Sequence, residues 1–152
     1  KNEEISIQGL NSKLITKDTK MYSDGKIIVN NISGDFLLEG PNSSLVAEDI
    51  YIEGEFIDGI FAEYENKKEI NKLNVKDEKI AYIKTEDTQM YSNIIKYDNN
   101  TSLIELEDNV KIIRDGETIT GDYGTLDTQT NSYKVKSKDS KKVKVIILDQ
   151  DE

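Results

Sequence analysis

At 152 residues, 36% apolar and a net charge of −10, with neither histidine nor cysteine, the chain has room for one thin core and few kinds of chemistry. The missing side chains exclude disulfides, thiolate zinc sites, cysteine nucleophiles and imidazole acid–base catalysis. The acidic balance argues against nucleic acid and against docking on anionic membranes, which both need a basic surface, and no apolar run is long enough to cross a bilayer as a helix.

Along the chain the dominant period is two, the signature of strands. The first distinctive phrase is Asp18-Thr19-Lys20-Met21-Tyr22-Ser23, and Asp24-Gly25 after it reads as a hairpin turn. From Ile28 through Ile32, Phe36 and Leu38 the apolar residues fall on even positions, with Asn31, Ser33 and Asp35 between them, as in a strand with one buried face. Gly40-Pro41-Asn42 marks the next break. Residues 43–52 and 55–64 alternate again. Within 43–52 the apolar phase switches from Leu45 and Ala47 to Ile50 and Ile52, which predicts a bulge or corner at Ala47-Glu48-Asp49. Between Glu63 and Leu73 the apolar stripe is too sparse for a helix, so Asn66-Lys67-Lys68 reads as a turn between strands.

Alternation resumes over 70–76 and 79–84. The opening phrase then returns as Asp87-Thr88-Gln89-Met90-Tyr91-Ser92. After a turn at Asp98-Asn99-Asn100, Ile104, Leu106, Val110 and Ile112 share one face, with Asp108 interrupting it. Asp115-Gly116 is a second hairpin signal, residues 117–126 turn a corner at Gly121-Asp122-Tyr123, and Thr128-Gln129-Thr130-Asn131 is a looser turn. Strands are expected over 132–136 and 142–148. The lysines of 134–144 read as charges protecting an edge strand or as a rim for phosphate. Turns every 8–15 residues predict an all-β sandwich, roll or barrel.

The chain therefore reads as two copies of one strand-rich unit. At a shift of 74, Ile32–Leu38 aligns with Leu106–Ile112, Leu45 with Ile119, Ala47 with Gly121 and Ile52 with Leu126. This predicts one domain over 1–152, with repeat halves at roughly 10–55 and 86–130 and intervening strands over 55–85. No spacing marks a carboxylate acid/base pair, a calcium loop, a phosphate loop or a nucleophile elbow. No catalytic residue, metal or cofactor is expected, and the chain does not read as an enzyme. Its informative feature is the apolar inner face, which is either a dry core or a cleft for an apolar ligand.

Several stretches resemble the OstA-like repeat of the lipopolysaccharide transport proteins LptA, LptC and the periplasmic part of LptD. They are Tyr97-Asp98-Asn99-Asn100-Thr101, Ile104-Glu105-Leu106-Glu107-Asp108-Asn109-Val110, Gly116, Ile119-Thr120-Gly121-Asp122 and Leu126-Asp127-Thr128-Gln129-Thr130. Gly25 through Ile52 is similar to the same unit, with Gly34-Asp35-Phe36 at the Gly-Asn-Val position, and Asp108 stands where the family has glycine. The resemblance implies a β-jellyroll, or β-taco, of two V-packed antiparallel sheets. It implies a periplasmic protein, soluble or held at the inner membrane by a removed N-terminal segment, that shields the acyl chains of lipid A. Its partners would be lipopolysaccharide and other Lpt jellyrolls joined head to tail by strand addition, with homo-oligomers as one form of that assembly and no nucleic acid.

The lining this implies is Leu14, Ile28, Ile32, Phe36, Leu38, Leu45, Ile50 and Ile52 from the first copy. From the second it is Leu106, Val110, Ile112, Ile119 and Leu126. Buried methylenes contribute roughly 0.8 kcal/mol each, which lets acyl chains outweigh screened repulsion between an anionic ligand and an acidic surface. The alternative is a β-repeat protein that binds partners along its edges and holds no lipid.

Overall fold

The computed structural model describes residues 3–138 and 144–147. Its strands are β1 (Glu4–Gln8), β2 (Ser12–Ile15), β3 (Thr19–Ser23), β4 (Lys26–Asn30), β5 (Asp35–Glu39), β6 (Ser44–Ala47) and β7 (Ile50–Glu53). They continue as β8 (Phe56–Tyr64), β9 (Lys67–Lys84), β10 (Thr88–Asp98), β11 (Leu103–Arg114), β12 (Glu117–Asp127), β13 (Tyr133–Lys136) and β14 (Lys144–Ile147). No helix occurs among the described residues.

The hydrogen-bonded order resolves into two sheets that share their middle strands. Sheet I runs β1-β4-β5-β8-β9-β10-β11-β12-β13. Sheet II runs β2-β3-β6-β7 and then through the other halves of β9, β10, β11 and β12 to β14. The shared strands pass from one sheet to the other at register shifts between Ser92 and Ile94 and between Glu107 and Val110. Such irregularities bend a strand and strengthen its twist, which folds the continuous sheet onto itself as an open jellyroll.

Register places one residue of every strand in line across each sheet. In sheet I the line is Ile7, Ile27, Leu38, Ile57, Val75, Ile95, Leu106, Gly124 and Val135. In sheet II it is Leu14, Met21, Leu45, Ile52, Ile83, Met90, Ile112, Ile119 and Val145. The central members of both lines are at most 3% exposed, from Ile27 to Leu106 and from Met21 to Ile112. The central members of both lines belong to one apolar cluster, so they face each other across a common seam.

Near the bend the inward positions of sheet II become small: Ser23, Ser43, Gly54, Ala81, Ser92 and Gly121. A Cβ on Gly54 would lie 2.4 Å from Cγ1 of Val75, and one on Gly121 would lie 2.4 Å from Cγ1 of Val135. The glycines are therefore needed because a valine of sheet I occupies their side-chain space.

Several sequence expectations change. The corner predicted at Ala47-Glu48-Asp49 is a hairpin within sheet II, where Ala47 pairs with Ile50 and Glu48 takes a φ of 51°. The corner at Gly121-Asp122-Tyr123 is a true bend inside β12. Asp115-Gly116 closes the β11–β12 hairpin with both residues at positive φ. Asp24-Gly25 closes no hairpin: β3 pairs with β2 and β6 while β4 pairs with β1 and β5, so this turn carries the chain between sheets. Asp108, at φ 64°, and Asn109, at φ 54°, adopt left-handed backbone at the register shift in β11, a conformation that Asp and Asn tolerate.

The two copies correspond at a shift of 67–69 instead of 74. Ser23 matches Ser92 (shift 69), Ile27 matches Ile95 (68), Leu38 matches Leu106 (68), and Leu45, Ile52 and Gly54 match Ile112, Ile119 and Gly121 (67), each pair at the same place in the same sheet.

Candidate functional site: the seam and its mouth

Both faces of the seam are built by alternation. In sheet I the inward set beyond the first line is Val29, Phe36, Gly59, Leu73, Tyr97, Ile104, Leu126 and Tyr133. Phe36 lies over Gly59, where a Cβ would meet its Cζ at 2.7 Å, and its ring stacks on Phe61 at a centroid distance of 4.4 Å. That aromatic pair fills the seam toward the β8–β9 hairpin.

Of the residues predicted to line the interior, Phe36, Leu38, Leu45, Ile52, Leu106, Val110, Ile112, Ile119 and Leu126 are buried, and Leu14 and Ile50 pack partly buried against the cluster. Two residues fall elsewhere. Ile28 lies on the outer face of β4, because the buried set there is Ile27 and Val29. Ile32 sits in the turn between β4 and β5 and is 66% exposed. The alternation from Ile28 to Leu38 spans two strands joined by a turn, so its even phase does not define one face.

Sequence reading also missed much of the lining. Met21, Ile27, Val29, Ile57, Ile70, Leu73, Ile83, Met90 and Ile95 are all buried in the cluster. The recurrence of Met21 and Met90 inside the repeated phrase was a usable signal for two of them.

The seam is packed along its middle and opens along its long side, away from the bend. A cavity of about 420 Å³ lies there, lined by Ile50, Ile70, Leu73, Ile83, Tyr97, Ile104 and Leu126, with Thr85, Glu86, Asp87, Thr128 and Asn131 at its rim. A second space of about 280 Å³ shares Ile50, Ile70 and Tyr97 with it and extends toward Glu48, Asp49 and Lys68. Burial pushes the Tyr97 phenol above its usual pKa, and its hydroxyl donates to Asn99 Oδ1 at 3.0 Å at the solvent edge. The floor is thus apolar and the rim polar, the arrangement of a site that takes a hydrocarbon and leaves its head in water.

A larger cavity, about 690 Å³, lies around Asp58, Asn74, Lys76, Lys96 and Glu105 on the outer face of sheet I. Its mixed charges do not suit a hydrocarbon. Among the described residues no group of three or more carboxylates is placed to hold a metal ion.

An antiparallel jellyroll folded over an apolar, side-opening seam defines the class of fold. The chain belongs to the LptA/(LptD N-terminal domain) LPS transport protein family, which it matches over residues 15–132. In structure it is similar to LptH from Pseudomonas aeruginosa, described as the LptA homologous periplasmic component of the lipopolysaccharide transport device. The TM-score is 0.63, with 15% identity over 96% of this chain and 95% of that one, a likeness that bears on the fold. No curated protein sequence matches the chain.

Proposed function

We propose that this protein is a periplasmic, lipopolysaccharide-binding component of the bridge between inner and outer membranes, and that it shields lipid A acyl chains in its seam. One observation carries the reading: two apolar lines, buried from Ile27 to Leu106 and from Met21 to Ile112, face each other beside a side cavity with an apolar floor. Leu14, Phe36, Leu38, Leu45, Ile50, Ile52, Leu106, Val110, Ile112, Ile119 and Leu126 are the contacts on this reading. Family membership supports transport over catalysis.

The ends support head-to-tail partnership with other jellyrolls or with copies of itself. Among the described residues β1 and β2 are edges at one end, and β13 and β14 at the other. Large apolar side chains are exposed at both ends: Ile5, Leu10 and Ile15 at the first, Val145 and Ile146 at the second. Unpaired strands flanked by apolar side chains suit strand addition.

Photo-crosslinkers test the lipid reading. Purified lipopolysaccharide is expected to label Leu106 and Ile112 positions and to spare the outward Glu105 and Lys111 positions. Equal labelling of the two sets overturns it.

A further inference from the structure

The repeated phrase has a structural purpose that the seam alone does not explain. Each copy opens with the same tight turn, in which Thr16 N–H donates to the Thr19 carbonyl at 2.9 Å and Thr85 N–H to the Thr88 carbonyl at 2.9 Å. Thr19 and Thr88 are buried, at 4% and 1% exposure, so each turn is anchored to sheet II. Met21 and Met90 fill the seam, while Ser23 and Ser92 reach the bend. The aspartate that begins each phrase does something else: it crosses the mouth to sheet I.

Asp18 Oδ2 accepts from the backbone N–H of Lys68 in β9 at 3.3 Å. Asp87 Oδ2 accepts from Asn131 Nδ2 at 2.8 Å, in the loop between β12 and β13. The second crossing is reinforced by Arg114, the single arginine of the chain. Its Nε donates to Thr88 Oγ1 at 2.7 Å, its Nη1 and Nη2 donate to the carbonyl and Oδ1 of Asn131, and its guanidinium lies 4.9 Å from the centre of the Tyr133 ring. The side cavities, floored by Ile50, Ile70 and Tyr97, reach both crossings: Lys68 lines the smaller space, and Asp87 and Asn131 line the larger.

We propose that the two aspartates are paired clasps framing a side window, and that acyl chains enter the seam through this window when the Asp87–Asn131–Arg114 clasp releases. The proposal rests on the lipid reading above. Three features single out the second clasp. Its Asp87–Asn131 bond joins side chain to side chain, Arg114 reaches only loop atoms of Asn131, and the contacts are exposed to solvent, so it can part without breaking a strand ladder. It closes the rim of the larger cavity. Beyond the side cavities the seam is packed to near-zero exposure, so hydrocarbon passes from the cavity floor into the middle of the seam only if the sheets spread at the mouth.

The chain has no cysteine, so a pair placed at 87 and 131 is unique. The test uses Asp87→Cys with Asn131→Cys, left free or joined by a short bifunctional thiol reagent, and a photo-crosslinker at Ile50 on the window floor. Purified lipopolysaccharide is the probe, and the rate of labelling is read. The joined protein is expected to label roughly tenfold or more slowly than the free pair, as for a closed lid. Equal rates overturn the clasp and leave the lipid reading standing; no labelling in any form, wild type included, overturns the lipid reading itself. Should the joined protein fail to fold, Asn131→Ala replaces it. That variant is expected to label roughly threefold or more faster than wild type, and an unchanged rate overturns the proposal.

Discussion

The two copies reach the same interior by different backbone routes. In the first, the chain stops at each passage between sheets: β3 and β4 are separated by Asp24-Gly25, β5 and β6 by Gly40 to Ser43, and β7 and β8 by Gly54-Glu55. In the second, β10, β11 and β12 run straight through the bend. Turns at the bend in one copy are replaced by bulges in the other, yet Ile27, Leu38, Leu45 and Ile52 sit where Ile95, Leu106, Ile112 and Ile119 sit. Side-chain burial fixes the interior, while the backbone's own hydrogen bonding leaves more than one way to reach it.

If the copies share one cooperative core, matched truncations should cost the same. Leu38→Ala and Leu106→Ala, both fully buried, are each expected to destabilise by about 2–5 kcal/mol, measured by urea unfolding. A two-step transition in one variant alone would separate the copies.

The bend gives the next largest effect. Gly54→Ala and Gly121→Ala drive a methyl into Val75 and Val135 respectively, an overpacking expected to cost about 1–3 kcal/mol each. Val75→Ala is expected to recover part of the first loss and Val135→Ala part of the second. Failure of either rescue breaks the matched-bend interpretation.

A smaller effect distinguishes the copies. In the second, Asn93 Nδ2 donates to the carbonyls of Asp77, Glu78 and Lys79, and Asn93 Oδ1 accepts from Asn109 at 2.6 Å. Asn93→Ala is expected to cost about 1–2 kcal/mol, with little dependence on pH. At the matching place in the first copy, 69 residues earlier, stands Asp24. Asp24 accepts from Asn42 Nδ2, the Asn11 N–H and the Tyr22 hydroxyl.

The Asn42 amide, then the Asn11 N–H and Tyr22 hydroxyl, hold the Asp24 carboxyl below its usual pKa. A carboxyl lowered on folding contributes stability above its unfolded pKa and loses it as pH falls through the folded value. Protection of the Asn11 amide from hydrogen exchange is therefore expected to fall below the ordinary carboxylate range. In Asp24→Asn it should already be weak at neutral pH. Unchanged protection on acidification would remove this contrast.

Period-two alternation, the Asp115-Gly116 hairpin and the repeated phrase made the all-β class legible in the sequence. The strand-to-sheet assignment was not. Across the turn at 31–34 the inward phase switches from odd positions in β4 (Ile27, Val29) to even positions in β5 (Phe36, Leu38), and the apolar Ile28 and Ile32 on even positions hid that switch. The same ambiguity produced the 74-residue shift, because an apolar residue aligns well with any other of the right parity. Glycines 54 and 121 carry no local signal of the valines that cover them, since Val75 and Val135 come from other strands. The aspartates of the phrase were visible, but their partners, Lys68 and Asn131, lie 50 and 44 residues away.

Nine strands across each sheet also set a ruler. Neighbouring strands stand roughly 4.8 Å apart, so one molecule takes up about 43 Å along its stacking direction, the gap to the next molecule included. A filament joined through the outermost strands would lengthen in increments of that size while keeping a constant cross-section. The distance such a filament covers would then be counted in whole molecules.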